Sequence, residues 1–222
     1  MGDVMARTAT AEKKTDVKEN GKERPPTRIS APELETIKVR IEGISGLIVK
    51  AMSAKVIKGI EDSQQGKGKR STAKSARVPE EEYEDCFHRT PEGKYAVRAI
   101  WFKKAMETMA TFSEGLYKKD VKCGIFVHGD LLPFVKHSDP WMRTDWVRLG
   151  GISKKTSVCY RPQFDTWEVD VTMTVDKGIL SVDEAVNLLS VAGTRNGIGE
   201  WRMQTSGNSN GCFRIKTVEA GK

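Results

Sequence analysis

The chain has 222 residues, a formal net charge of +7 at pH 7 and 38% hydrophobic residues. The length allows one sizeable domain with its own core, and the positive charge favours a polyanionic partner, most simply nucleic acid. The sequence has no run of 18 apolar residues, which predicts no membrane-spanning helix, and it begins without a signal-peptide core, which predicts a cytoplasmic protein.

The cysteines and the missing motifs argue against several classes of protein. None of the four cysteines forms a C-x-x-C pair or has a histidine at zinc-finger spacing, so we predict that the protein has no metal site. Disulfides are also not expected, because the cytosol is reducing. The sequence contains no P-loop, nucleophile elbow, H-E-x-x-H or dinucleotide fingerprint. We therefore expect no metal, no cofactor and none of the enzymes that depend on those motifs.

The N-terminal segment differs in composition from the rest of the chain. Residues 1–33 have almost no large apolar side chains, so they cannot bury enough surface to offset their ordering entropy. We predict a disordered tail there and a single domain over residues 34–222. Residues 36–44 alternate between apolar and charged side chains, which predicts the first strand of that domain.

A basic stretch follows from Lys55 to Arg77, where seven lysines and arginines oppose only Glu61 and Asp62. A mobile basic loop can follow a phosphodiester backbone and gain affinity from counterion release, whereas the alternative is an ordinary solvated linker. The residues predicted to contact the backbone are Lys67, Lys69, Arg70, Lys74 and Arg77. The acidic run at residues 79–85 is interpreted as a solvated turn.

The middle of the chain mixes helical and extended patterns. Residues 96–112 carry apolar side chains at helical spacing, which predicts a helix, and residues 121–128 are predicted to form a strand. Residues 156–161 and 166–175 alternate around a turn at 162–165, which predicts a β-hairpin.

Tryptophan and arginine interleave over residues 139–149. The segment contains Trp141, Arg143, Trp146 and Arg148. Aromatic rings among arginines suit a surface for single strands, since stacking of a base on an aromatic ring contributes about 1–3 kcal/mol. We predict that Arg143 and Arg148 bind nucleic acid, while anchoring of the core is the alternative role for each tryptophan.

The C-terminal segment is predicted to form a helix, a glycine-rich loop and a strand. Ser181 and Glu184 have capping-box spacing, Gly193 is a candidate helix stop, and residues 212–218 alternate as a strand does. Glycines allow main chain to approach a ligand closely, although a solvated loop is the alternative. The binding residues predicted here are Arg195, Gly197, Gly199, Trp201 and Arg202.

The order of these elements is βαββαβ, the arrangement of ferredoxin-like and RNA-recognition folds. It predicts an α+β domain in which four antiparallel strands carry two helices on one face. Insertions are expected at about residues 53–94 and 129–161, the second including a strand of the predicted hairpin.

The stretch Gly197-Ile-Gly-Glu-Trp-Arg202, followed by Gly207 and Gly211 before a final strand, resembles the terminal glycine-rich loop of the RAMP superfamily. The chain is also similar to phage-encoded proteins of unassigned role that share this stretch and a Tyr-Arg-Pro sequence, at residues 160–162 here. The resemblance is greatest to CRISPR backbone subunits and implies binding of single-stranded RNA or DNA by a homo-oligomer along the strand. It adds Arg161 to the predicted site.

Catalysis is a weaker hypothesis. Some RAMP relatives cleave RNA with a histidine as general acid or base, and others with a loop aspartate. The candidates in this chain are His88, His128, His137, Asp62, Asp130, Asp139 and Asp145. We predict a non-catalytic binder; the alternatives are a metal-independent endoribonuclease of the RAMP type, or a phage inhibitor or interaction module acting on an acidic protein.

Overall fold

The structure is a computed structural model that describes residues 31–67, 77–148 and 156–221. Residues 1–30 of the predicted tail and three predicted backbone contacts, Lys69, Arg70 and Lys74, lie outside the described residues. Among the helices of the described part, none is both long and apolar enough to cross a membrane.

The described residues form nine strands and six α-helices. The strands are β1 (Leu34–Gly43), β2 (Leu47–Ile48), β3 (Ala96–Arg98), β4 (Ile125–Val127), β5 (Leu131–His137), β6 (Trp141–Arg148), β7 (Thr156–Phe164), β8 (Trp167–Asp176) and β9 (Phe213–Ala220). The helices are α1 (Ala54–Gln64), α2 (Pro79–Glu84), α3 (Ala99–Met109), α4 (Lys118–Gly124), α5 (Val182–Arg195) and α6 (Met203–Ser206).

The main sheet has the order β3-β5-β8-β1-β9, and β4 also pairs with β8. Every one of these pairings is antiparallel. Helix α3 precedes β4, and α5 connects β8 to β9, so the path β4-β8-β1-β9 has the strand arrangement of a ferredoxin-like core. The predicted α+β fold class is confirmed.

The core lies between the main sheet and helices α3 and α5. Ile37, Val39 and Ile41 of β1 are at most 3% exposed, because alternate residues of a strand face the same side. The ring of Phe102 on α3 lies 5.6 Å from that of Phe213 on β9, edge to face. Burial of each such side chain stabilises the fold by about 1.5–3 kcal/mol.

Two predicted boundaries in the middle of the chain are wrong. Residues 96–98 form β3, which pairs with β5, so the predicted helix begins only at Ala99. Residues 121–124 belong to α4 instead of a strand, since the N–H of Tyr117 donates to Asp120 Oδ2 at 2.9 Å and caps the start of that helix. Short apolar runs fit either structure, and capping and pairing decide between them.

The stretches expected to be a mobile loop and a solvated turn both contain helices. Ser53 caps α1 by accepting the N–H of Val56 at 3.2 Å, and Pro79 occupies the first turn of α2, where its missing N–H has no cost. No residue of α1 is buried. Most described residues of these two segments are exposed, as their charge predicts, but charge did not reveal their helical backbone.

The predicted hairpin is also wrong, although both of its strands exist. Strand β7 belongs to a three-stranded small sheet of order β2-β7-β6, whereas β8 lies in the main sheet. The chain passes from one sheet to the other through Asp165 and Thr166. Alternation identifies a strand but does not identify its partner.

The start of α5 is confirmed and its predicted end is wrong. Ser181 and Glu184 form the capping box, with Ser181 N–H donating to Glu184 Oε2 at 2.7 Å. The helix continues through Gly193 to Arg195. A Cβ at Gly193 would overlap the carbonyl oxygen and ring of Phe213, so this glycine allows α5 to pack closely on β9.

Candidate nucleic-acid interface

Three of the predicted binding residues meet on one face of the small sheet. Arg143 on β6 and Arg161 on β7 are directly opposed, and Trp201 of the glycine-rich loop lies over both. The guanidinium carbon of Arg143 is 5.1 Å from the centre of the Trp201 ring, and that of Arg161 is 4.6 Å away. These distances are typical of cation–π contacts.

Carboxylates neutralise these arginines from within the protein. The Nε–H of Arg143 donates to Asp145 Oδ1 at 2.8 Å, and Nη2–H of Arg161 donates to Asp145 Oδ2 at 2.5 Å. Arg161 also lies 3.5 Å from Glu200. We call these five residues the closed cluster: Arg143, Asp145, Arg161, Glu200 and Trp201. Arg161 is 2% exposed, so it presents almost no surface to a ligand in this conformation.

The glycines of the loop let main chain approach other main chain of the same molecule. A Cβ at Gly199 would overlap the carbonyl oxygen of Ile48, and one at Gly211 would overlap that of Ile198. The N–H of Glu200 donates to the Ile48 carbonyl at 2.9 Å. Gly197 is buried, and its Cβ would lie 2.9 Å from the Asn210 carbonyl oxygen. These glycines fasten the loop to β2 and to its own return segment.

The other predicted residues that are described lie apart from the closed cluster. Arg195 is exposed in the last turn of α5, and Lys67 is exposed after α1. Arg202 is half-buried, and its Nε has no hydrogen-bond partner in the described structure. The side chain of Arg77 pairs through both Nε and Nη2 with Glu82, and Arg148 ends β6 at the surface.

The opposite face of the small sheet, which we call the outer face, carries exposed aromatic and basic side chains. Side chains alternate along a strand, so Trp146 and Arg148 point away from the closed cluster. Trp146 opposes Val158, and Thr144 opposes Tyr160. Trp146 and Tyr160 are therefore diagonal neighbours, for which a Cα–Cα distance of about 7–8 Å is typical. Trp146 is 73% exposed, and its side chain makes no ring contact or hydrogen bond within the described residues.

A cavity of about 580 Å³ lies beside β7, and we call it the groove. Its walls include Met52 and Val56 at the start of α1 and Val78 before α2, and Tyr160 of the outer face also lines it. Strand β2 covers β7 only at Phe164 and Gln163. Beyond these two residues the Val49 N–H donates to the Pro162 carbonyl at 3.2 Å, and Cys86 Sγ donates to the Tyr160 carbonyl at 3.5 Å. The groove lies beside this edge of β7.

Charged side chains of both signs reach the groove. Lys50 lines it and makes no ion pair among the described residues, while Arg77 is held by Glu82. The hydrogen bond from Arg77, with a smaller contribution from Lys50, lowers the pKa of Glu82. Glu81 and Asp85 complete the acidic side and have no ion-pair partner in the described structure. Three cations, Lys50, Lys55 and Arg77, and three carboxylates therefore line the groove, and Glu81 and Asp85 are the carboxylates without an ion pair among the described residues.

Sequence analysis did not select Lys50 or Tyr160. Lys50 follows an apolar run, and the signal that could have identified it is its position at the end of that run, two residues after the short strand β2. Tyr160 is part of the Tyr-Arg-Pro sequence, but only the register with β6 places it on the face of Trp146.

The open face of the main sheet is occupied by ion pairs. Arg40 on β1 donates through Nη2 to Asp170 Oδ2 on β8 at 3.0 Å, and Lys38 also pairs with Asp170 at 3.0 Å. The hydrogen bond from Arg40, the largest cause, lowers the pKa of Asp170. Lys216 and Glu168 form a further pair at 2.8 Å. This face differs from the aromatic sheet surface on which RNA-recognition domains stack bases.

The candidate catalytic histidines occupy three different surroundings. His88 is half-buried against Trp101, and burial lowers its pKa. His128 Nε2 lies 2.7 Å from the hydroxyl of Thr174. His137 Nδ1 donates to the carbonyl of Ser138 at 2.9 Å.

The candidate aspartates are equally scattered. Asp145 is buried in the closed cluster and Asp130 pairs with Arg98 at 3.4 Å, while the side chains of Asp62 and Asp139 make neither a hydrogen bond nor an ion pair within the described residues. In the described part of the chain, no group of three His, Cys, Asp or Glu residues is placed to hold a metal ion.

Comparison with known proteins identifies a fold. No protein-family model matches the chain, and no curated protein matches it either. A chain in the cryo-EM structure of the Type III-B Cmr-beta bound to cognate target RNA matches with a TM-score of 0.55 and 8% sequence identity. The match covers 85% of this chain and 61% of that chain, so this chain spans about three fifths of its length. At this identity the likeness shows a shared fold and nothing further.

Proposed function

We propose that this protein binds one strand of nucleic acid, RNA in preference to DNA, along the outer face of the small sheet and does not cleave it. The exposure of Trp146 carries the proposal. A tryptophan that is 73% exposed contributes little to a core, and on one sheet face with Tyr160 and Arg148 it suits the stacking of unpaired bases. Tyr160 on the same face can extend the stacking surface, and Arg148 supplies a cation for the phosphates.

The preference for RNA rests on the fold. The Type III-B Cmr-beta structure, one chain of which shares this fold, is bound to cognate target RNA, and the net charge of +7 suits a polyanionic strand. We further propose that several copies assemble side by side along the strand, in the cytoplasm. The similarity to phage-encoded proteins, the ribonuclease and the acidic-protein partner stay predictions from the sequence.

Replacement of one exposed ring tests the proposal. Trp146→Ala should weaken binding of labelled single-stranded RNA about five- to 150-fold, because one stacking contact contributes about 1–3 kcal/mol. Phe112→Ala is the matched control, since Phe112 is 72% exposed but lies after α3, outside the small sheet. Fluorescence anisotropy with single-stranded RNA, single-stranded DNA and duplex gives both affinity and preference.

Equal affinities for Trp146→Ala and the parent protein would remove the outer face from the site. Absence of binding to every strand at low salt would favour the acidic-protein partner instead. The same samples run on a denaturing gel test cleavage: loss of full-length RNA that is abolished by His88→Ala or His137→Ala would establish the ribonuclease alternative.

A further inference from the structure

We propose that the groove holds one base of the bound strand and prefers a base with an exocyclic amino group, cytosine over uracil. This inference rests on the proposed function and adds a selectivity that the outer face alone does not provide. A stacking surface accepts every base because every base has a π-face, so a preference requires polar groups at the base edge.

The groove lies along the edge of β7 and adjoins the outer face at Tyr160, while Cys159, on the opposite face, lines it as well. Tyr160 belongs to both, since its position on β7 places it diagonal to Trp146 and it also lines the cavity. A strand that stacks on Trp146 can therefore place a neighbouring base beside Tyr160. The volume of about 580 Å³ lies within the range of small-ligand sites, about 300–1,000 Å³.

The walls of the groove suit the faces of an aromatic base. Met52, Val56 and Val78 are 60%, 51% and 41% exposed, and all three line this one cavity. Apolar side chains exposed together around a concave site are better covered by a ligand than by water. A flat base between α1 and α2 would cover them.

The charges of the groove specify which base edge fits. Glu81 and Asp85 have no ion-pair partner in the described structure, so their oxygens are available as acceptors. Carboxylates accept hydrogen bonds from the N4 amino group of cytosine, whereas uracil presents a carbonyl oxygen at that position and would be repelled. Lys50 can contact the adjoining phosphate, while Arg77 is already held by Glu82.

Paired oligonucleotides measure this preference directly. Single-stranded RNA 12-mers of cytidine and of uridine have the same charge and length and differ at the base edge. We expect the protein to bind the cytidine strand at least about fivefold more tightly, since a correct base contact contributes about 1–3 kcal/mol. Asp85→Asn and Glu81→Gln should each reduce the cytidine-to-uridine ratio, because an amide can also donate to uracil.

Glu80→Gln is the matched control, because Glu80 lies on α2 but does not line the groove. Removal of any acidic charge strengthens binding to both strands equally, so only the ratio tests the inference. Equal binding of the two strands by the parent protein, or an unchanged ratio in both groove variants, would overturn the groove proposal and leave the outer face intact. Absence of binding to either strand would overturn the proposed function together with the groove.

Discussion

Two regions of the small sheet contain the same kinds of residue and use them differently. In the closed cluster, Trp201 covers Arg143 and Arg161, whose charges are matched by carboxylates. On the outer face, Trp146 and Arg148 have neither a cover nor a partner within the described residues. Tryptophan and arginine together therefore do not identify a binding surface; the exposure of their side chains does. The closed cluster holds the loop on the sheet, and the outer face remains available.

Disruption of the closed cluster is expected to cause the largest loss of folding stability. Asp145→Ala leaves the buried guanidinium of Arg161 without its main partner, and removal of one member of a buried ion pair costs about 3–5 kcal/mol. Urea unfolding of the variant measures this loss. Asp130→Ala is the control, because its pair with Arg98 is exposed and should contribute at most about 1 kcal/mol. Equal losses at the two sites would show that the cluster is no stronger than a surface pair.

Two glycines of the loop have similar backbone angles but different surroundings, and alanine substitutions at them test where the loop packs on the rest of the protein. Gly211 and Gly207 have φ of 69° and 72°, so alanine is strained at both, by about 1–2 kcal/mol. At Gly211 the new Cβ also overlaps the Ile198 carbonyl, whereas nothing lies within 4 Å at Gly207. We expect Gly211→Ala to lose about 1–3 kcal/mol more in thermal unfolding, because the backbone must shift. Similar losses would mean that the loop is not fastened there.

A smaller effect concerns the role of charge on the outer face. Arg148→Gln should weaken binding to all sequences alike and reduce the slope of log affinity against log salt by about one. Arg195→Gln serves as the control, since Arg195 is equally basic and exposed but lies on α5. Titrations at several salt concentrations measure the slope. An equal change in the two variants would indicate diffuse attraction without a defined path for the strand.

The smallest expected effect concerns the ion pairs of the main sheet. Because Arg40 lowers the pKa of Asp170 in the folded state, this pair stabilises the protein above the unfolded pKa of about 3.9. The contribution is lost as the pH falls through the folded value. Asp170→Asn should therefore reduce the fall in melting temperature between about pH 5 and pH 3. Asp139→Asn, a change at an exposed aspartate, is the control; the same pH profile in both variants would contradict the assignment.

Local signals in the sequence predicted much of the core. The capping box of Ser181 and Glu184 lies within one helical turn, and the alternation of β1 and β8 requires only one buried face, so a short stretch of sequence is enough to predict both. The ferredoxin-like order followed from these elements. The division into two sheets did not, because pairing depends on residues far apart in the chain.

The candidate site was harder to predict, for a physical reason. Arg161 and Arg148 are both arginines on strands, and no local pattern tells which has a carboxylate beside it. Asp145 reaches Arg161 only through the register of β6 with β7. The groove depends on how far β2 covers β7, which is also a property of the assembled sheet.

The short connection between β7 and β8 restricts insertions and deletions at this point of the chain. Only Asp165 and Thr166 separate the strands of the two sheets, so an insertion of one residue would have little loop to absorb it. Such an insertion could turn the side chains of β8 to the opposite side, moving Glu168 and Asp170 toward the core and Val169 toward water. Evolutionary gains and losses of residues should therefore be rare at this connection, and fusion tags or reporter peptides should be placed elsewhere.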